Sequence, residues 1–477
     1  MSDRSSLSPL ERFLCLFTDV RAGEGGTALA MFANVFLILC SYYLMKPLRE
    51  GWIAVSPVAG LDAWLVKALM TFGQILILVP VIAWYSRMVD RLPRVRVVTL
   101  ATLFCMSNMV VFWVIQPDYF IANLPWSGIA FYVWVGMFSV FVVAQFWAFA
   151  ADVFSDAEGR RLMPMIAIGA TAGAASGAKI TEFLVKGGFA ELLAGLGLEP
   201  LAALARQTLQ TEALLLIACL PLGVSLLLTR HVDAGRSRAA ESQPSAARDT
   251  SGGLNMVLSS RFLLAVAGVT VLLNWVNTNG ENLLFRVVQE MLAGEAAAAG
   301  VTGEVELLEF TKNGTTAFYG NFFSWVNAVA LVLQALVASR LLKYGGFAPL
   351  LLLLPVVALT SYASMAFLPL LAVVKGMKIA ENATDYSINN TARHVLWLPV
   401  DSDVKLKGKP TIDALFARIG DGMAAVTALV GAQLLALATE TYFAFNVFLI
   451  LIWLAFSVRI VREHKRLSEA RAESAGE

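Results

Sequence analysis

The sequence predicts an all-α polytopic membrane protein with about twelve transmembrane helices in two six-helix halves. Three observations predict this. Apolar residues make up 58% of the 477-residue chain and charged residues only 15%, against about 45–50% and about 25% in soluble domains. The excess is gathered in blocks, such as 263–273 and 331–337, inside segments near the ~20 residues that cross a hydrocarbon core. A Ser-, Ala-, Arg- and Gly-rich stretch at 231–253, without apolar periodicity, divides these segments six and six, as a flexible connector would.

The first half holds segments 27–45, 63–85, 97–115, 127–150, 163–185 and 212–229. The second holds 262–282, 317–342, 349–367, 369–395, 412–438 and 442–462. The domains are therefore an N-terminal segment 1–26, a six-helix half 27–229, a linker 230–260, a second half 261–462 and a tail 463–477. About twenty-six mostly polar residues precede the first run, and no small-residue cleavage site closes it, so the N-terminus does not read as a signal peptide.

Orientation is set by the cations in the short loops. Arg87, Arg91, Arg94, Arg96, Arg160, Arg161, Arg230, Arg340, Lys343, Lys405, Lys407, Lys409 and Arg462 fall on one side. Asp118, Glu295, Glu304, Glu306, Glu309 and Glu440 fall on the other. The cation-rich loops and both termini are expected in the cytoplasm, and the chain in a bacterial inner membrane. The net charge of +1 points to no nucleic-acid partner. Four scattered cysteines and three separated histidines give neither a disulfide framework nor a metal site. There is no HExxH, GxSxG or P-loop pattern, and no cofactor or enzyme activity is expected. The bilayer and a small anionic solute are the expected partners, and nothing indicates a protein partner.

Two matches at a common offset of about 250 residues suggest a parallel duplication, of the kind seen in major facilitator transporters. Ser86-Arg87-Met88-Val89 and Ser339-Arg340-Leu341-Leu342 close the second and eighth segments. Polar loops opening at Asp152 and Asp401 come after the fourth and tenth. The loop 86–94 also resembles the G-x-x-x-D-R-x-G-R loop of that superfamily through Asp90 and Arg91, with Ser86 and Pro93 in place of its glycines.

Four clusters stand out. Lys46 and Arg49, with Glu50 next in the chain, share one helix face at the outer end of the first segment. They suit an anion such as phosphate, or are interfacial cations that snorkel. Lys67 is a further cation for the same space. Asn274, Asn277, Asn279, Glu281 and Arg286 lie around the end of the seventh segment, where the asparagines could break or cap the helix. The alternative is capping with a structural ion pair. In the tenth segment Lys375, Lys378, Asn382, Asp385, Asn389 and Arg393 form a stripe about 80° wide on an ideal helix. Such a stripe must face a cavity or the bundle interior, unless self-neutralising pairs such as Lys378–Asp385 close it. The Gly- and Ala-rich run 169–178 in the fifth segment reads as a surface for close helix approach.

The residues 385–422 resemble a signature of the ATP/ADP carrier type of nucleotide transporter, found in plastids and obligate intracellular bacteria. The match rests on Tyr386-Ser387, Leu398-Pro399, Asp401, Lys405, Lys407-Gly408-Lys409, Asp413, Arg418 and Gly420. Tyr42, Lys46, Arg49, Glu50, Lys67, Glu281 and the stretch 318–346 resemble further family positions. The resemblance covers essentially all twelve segments. It implies a major-facilitator-like fold and ATP/ADP exchange, with Lys46, Arg49 and Glu281 in or near the path.

The chain also departs from the pattern. Asp421 stands where a lysine is usual, as does Asp385. His394 stands where an acid is usual, and Gly136 or Met137 where a glutamate is. Each unit of altered charge is worth up to ~3 kcal/mol at ~6 Å and an effective dielectric of ~20. The expected function is alternating-access transport of an organic anion, with a nucleotide as leading substrate. Lys46, Arg49, Lys67, Glu281, Arg286, Lys375, Lys378, Asn382, Asp385 and Arg393 are the expected substrate-binding residues. Glu50, Asp90, Arg91, Asp401, Lys405, Lys407, Asp413, Arg418 and Asp421 are the expected gating or coupling residues. The alternatives are a non-transporting membrane scaffold and a carrier of a lipid-like or proton-coupled solute.

Overall fold

The computed structural model describes residues 7–15, 18–56, 58, 60–115, 126–208, 210–235, 253–400 and 402–476. All twelve expected segments are helical. They are α1 Gly25–Ala54, α2 Ala63–Arg91, α3 Arg94–Val114, α4 Ser127–Val153 and α5 Asp156–Val185. Two short helices, α6 Gly188–Gly195 and α7 Glu199–Thr208, precede α8 Ala213–Ala234. The second half has α9 Arg261–Ala298, α10 Glu304–Gly345, α11 Phe347–Phe367, α12 Leu371–Thr384, α13 Lys407–Gln433 and α14 Thr439–Glu469. A π-turn Asp385–Asn389 and the helix Asn390–Leu396 continue α12.

Among the described residues, nine of these helices are long and apolar enough to cross a membrane. The segments of α2, α5 and α12 fall outside that set. Small residues dilute the apolarity of α5, and the charges Lys375, Lys378, Glu381 and Asp385 do so for the tenth segment.

The described chain groups into two compact units. One holds Met1–Val58, Ile77–Pro244 and Glu295–Ala328; the other holds Ala59–Leu76, Ser245–Gly294 and Val329–Glu477. Each unit therefore combines most of one sequence half with a helical segment from the other: the start of α2 belongs to the second unit and most of α10 to the first.

In the first unit, the small-residue run in α5 packs directly on α1. A Cβ on Gly169 would lie 2.9 Å from the Phe32 carbonyl oxygen, on Gly173 2.1 Å from that of Phe36, and on Gly177 2.3 Å from that of Cys40. Both rows advance in steps of four, so the helices run parallel with their backbones in contact. Only glycine permits that approach, which is how helices gain van der Waals contact where lipid offers no hydrophobic drive. α5 begins at a capping box, in which the Ser155 hydroxyl accepts from the Glu158 N–H and the Glu158 carboxylate accepts from the Ser155 N–H at 2.8 Å. Trp52, Phe131, Phe138 and Phe149 fill the core between α1 and α4. Exposed Leu220, Val224 and Leu227 form a helical stripe along α8, as expected of a lipid-facing surface.

In the second unit, Phe262, Ala267, Leu350, Ile388, Trp397 and Ile412 share one core. Gly420 of α13 meets α9, where a Cβ would lie 2.5 Å from the Val271 carbonyl oxygen. π-turns at Ser139–Val143 and Asp385–Asn389 interrupt the fourth and tenth segments 246 residues apart. This spacing matches the offset of the proposed duplication.

Candidate functional site

The first unit carries the Lys46 cluster. α1 does not stop near residue 45 but runs on through Pro47 to Ala54. Lys46, Arg49 and Glu50 thus sit inside a continuous helix. Proline is accommodated there although it removes one backbone donor. The Lys46 ammonium lies 3.9 Å from the Phe323 ring centre and 4.9 Å from that of Tyr43. Both rings offer their negative faces to the charge. Arg49 donates from Nε to Glu50 at 3.0 Å, with Glu50 almost fully buried, and its guanidinium stands 4.7 Å from the Tyr132 ring. On α5, Glu182 accepts from Lys179 and Lys186 at 2.8 Å and from Asn321 of α10 at 2.9 Å.

The second unit carries a buried charged cluster built from three helices. Lys378 of α12 is fully buried. Its ammonium is 2.8 Å from Glu381 one turn on, and 3.6 Å from Glu281 and 3.3 Å from the Asn277 side-chain oxygen, both on α9. Tyr362 of α11 adds its hydroxyl at 3.5 Å from Lys378 and donates to the Val276 carbonyl at 3.1 Å. Asn382 donates to Glu281 at 2.7 Å. Gly280 makes room for this arrangement, because a Cβ there would stand 1.8 Å from the Tyr362 oxygen. A buried lysine is tolerable only when paired and hydrogen-bonded, and here all these groups provide that.

Of the expected site residues, Lys378, Asn382 and Glu281 come together, and Asp385 lies on the next turn, bonded to Asn389 at 2.7 Å. The stripe reaches buried Asn389 and does not continue to Arg393. The π-turn at Asp385–Asn389 adds a residue to the helical repeat and rotates the helix beyond it, so Arg393 is half-exposed and pairs with Asp413 of α13 at 3.5 Å. The alternative pair Lys378–Asp385 does not form, because Glu381 occupies the nearer position. Lys67 is buried with its ammonium 4.6 Å from the Phe285 ring, and Lys375 is partly exposed.

α9 is unbroken from Arg261 to Ala298, so its asparagines neither break nor cap it. Asn274 bonds back to the Thr270 carbonyl at 2.7 Å, and Asn279 donates to Asn446 at 2.8 Å. Arg286 takes the structural alternative: it pairs with Glu290 at 2.9 Å and covers Trp64. Buried Asp421 accepts from Thr278 at 2.7 Å and from Arg418 at 2.8 Å, which ties α13 to α9. Arg91 is exposed and Lys407 partly so. Asp401 lies outside the described residues, as do the side chains of Asp90 and Lys405.

The fold is all-helical and of the major-facilitator type. The chain superposes on a bacterial homologue of the human lysosomal transporter Spinster with a TM-score of 0.58 and 12% identity, covering 94% of this chain and 99% of that one. Residues 304–465 match the TLC ATP/ADP transporter family model. The chain is 24% identical over 193 residues to ADP,ATP carrier protein 1 of Chlamydia trachomatis, an alignment that covers 35% of this chain and 36% of that carrier. It is 21% identical to ADP,ATP carrier protein 1 of Chlamydia muridarum across 94% of this chain and 90% of that one. The resemblance carried by Tyr386-Ser387 to Gly420 is borne out by these relatives.

Three participants escape the sequence reading. Glu381 has a local signal, its spacing of three from Lys378. Tyr362 and Phe323 have none, since each reaches its lysine from another helix.

Proposed function

We propose that this chain is a secondary transporter that moves an organic anion across a bacterial inner membrane by alternating access, with a nucleotide as the leading substrate and both termini cytoplasmic. The observation that carries the reading is the match of residues 304–465 to the ATP/ADP transporter model. That stretch contains the buried Lys378–Glu381 pair. Lys46 and Arg49 in one unit, and Lys67 and Lys375 in the other, are the cations proposed to attract substrate phosphates; lysine acts as a point charge and arginine as a planar fork. The aromatic faces beside Lys46 and Arg49 offer stacking surfaces for a base as well.

Within the second unit, Glu281 and Glu381 set carboxylates against Lys378, and Asp385 lies one turn beyond Glu381. That favours a second reading in which the solute carries less charge than ATP. Both readings are tested in proteoliposomes preloaded with ADP. Counterflow of labelled ATP is the expected result. Uptake restricted to nucleoside monophosphates or other weakly charged solutes supports the second reading, and no uptake or counterflow with any nucleotide overturns the nucleotide assignment.

A further inference from the structure

The helices α6 and α7 form a hairpin between α5 and α8, on the side opposite the cation-rich loops. Gly187 and Gly197, both with positive φ (77° and 75°), make its two corners. Ala190, Ala202 and Ala205 are buried. Phe189, Leu192, Leu196, Leu198, Leu201 and Leu204 are exposed, from 39% for Phe189 to 66% for Leu196. Six exposed large apolar groups on 21 residues form a surface too apolar to face water. The surface continues the row of exposed Ile180 and Phe183 at the end of α5. The chain is anchored at both ends by membrane helices, so the hairpin stays at the bilayer surface.

Behind the hairpin lies a cavity of about 250 Å³, also bordered by the first turns of α10. Its apolar walls include Leu184, Phe189 and Ala205, while its charged lining residues are Arg206, Glu212, Glu309 and Lys312. Glu212 and Lys312 are a buried pair 2.6 Å apart. The second Glu212 oxygen is buried with no hydrogen-bond partner among the described residues. Arg206 and Glu309 are exposed. The cavity thus presents one accessible charge of each sign above a floor with an unused acceptor.

We propose that the hairpin seats in the lipid leaflet on this side, and that the cavity holds the headgroup of a phosphatidylethanolamine-class lipid. Its phosphate meets Arg206, and its ammonium meets Glu309 and the Glu212 acceptor. The acyl chains lie along the exposed leucines. A purely anionic headgroup would face two carboxylates, and a choline headgroup has no N–H to donate. Amphipathic helices with this pattern lie at the headgroup–acyl boundary.

The test uses the full chain purified in detergent, with dioleoyl-phosphatidylethanolamine, -phosphatidylcholine and -phosphatidylglycerol added separately. Thermal unfolding and native mass spectrometry are the readouts. The ethanolamine lipid is expected to raise the Tm most and to remain bound. The exposed-residue variant R206A/E309Q should bind it about tenfold more weakly, the loss of one charge-assisted hydrogen bond or more. A second variant, L192S/L201S, keeps the cavity charges and should weaken binding of all three lipids. Equal response of the wild type to the three lipids, unchanged binding in R206A/E309Q, full competition by soluble phosphoethanolamine, or burial of the hairpin in a stable dimer would each overturn the proposal.

Discussion

Removing Lys378 should cost the second unit more than removing any other single charge in it. At 2.8 and 3.6 Å from Glu381 and Glu281, its gross attraction is about 6 and about 5 kcal/mol at an effective dielectric of ~20, before desolvation is subtracted. Breaking a buried pair by deleting one partner typically costs ~3–5 kcal/mol, because the other charge stays buried alone. K378M leaves the almost fully buried Glu381 in that position, so a Tm loss on the order of 5 °C is expected for a chain of this size. E381Q is expected to cost less, since Glu281 still faces Lys378. The double variant K378M/E381Q removes both charges and should be more stable than the sum of the singles predicts, with a coupling of about 1–3 kcal/mol. Thermal unfolding of the four proteins in one detergent closes the cycle. Strict additivity, or K378M unfolding like the wild type, would refute the view that these groups act as one buried unit.

Substituting Gly173 by alanine should cost at least about 1–3 kcal/mol by overpacking against the Phe36 carbonyl. Gly26→Ala, where a Cβ meets nothing within 4 Å, should leave the Tm unchanged and serves as the control. Phe323→Leu removes the buried ring beneath Lys46 while keeping most of its apolar volume and, at roughly 1 kcal/mol for a cation–π contact, should raise the KM for the transported anion about fivefold with a far smaller Tm loss than truncation to alanine would bring; an unchanged KM counts against Lys46 at the binding path. The Arg161 guanidinium holds the Glu24 carboxyl below the usual carboxylate range. The stability of this pair is therefore present above the ordinary glutamate pKa and lost as pH falls through the lowered value in the fold. An acid titration of Tm should lose about 1 kcal/mol there, and E24Q should remove that part of the acid dependence.

The twelve helices were legible because apolar length and cationic loops are properties of composition, and the bilayer enforces both. The glycine seam was legible because close approach needs residues without a Cβ at a spacing of four. The polar stripe of the tenth segment was legible as far as Asn389 and not at Arg393, because an ideal helix turns about 100° per residue and the π-turn breaks that step. α9 misled because asparagine, which favours helix ends in water, here bonds back along its own helix or to Asn446. The partners of Lys46 and Lys378 from α10 and α11 are tertiary, and no local pattern encodes them.

The π-turn also has a consequence for mechanics. Its extra residue is slack held inside the helix beside the buried lysine. If that slack passes toward Leu396, every side chain it crosses turns by about 100° while the helix ends stay fixed. Asp385 and Asn389 would then trade places with their neighbours at the helix surface without any span breaking. A carrier can thus change which groups face its solute by moving a defect along one helix, a smaller motion than moving the helix itself.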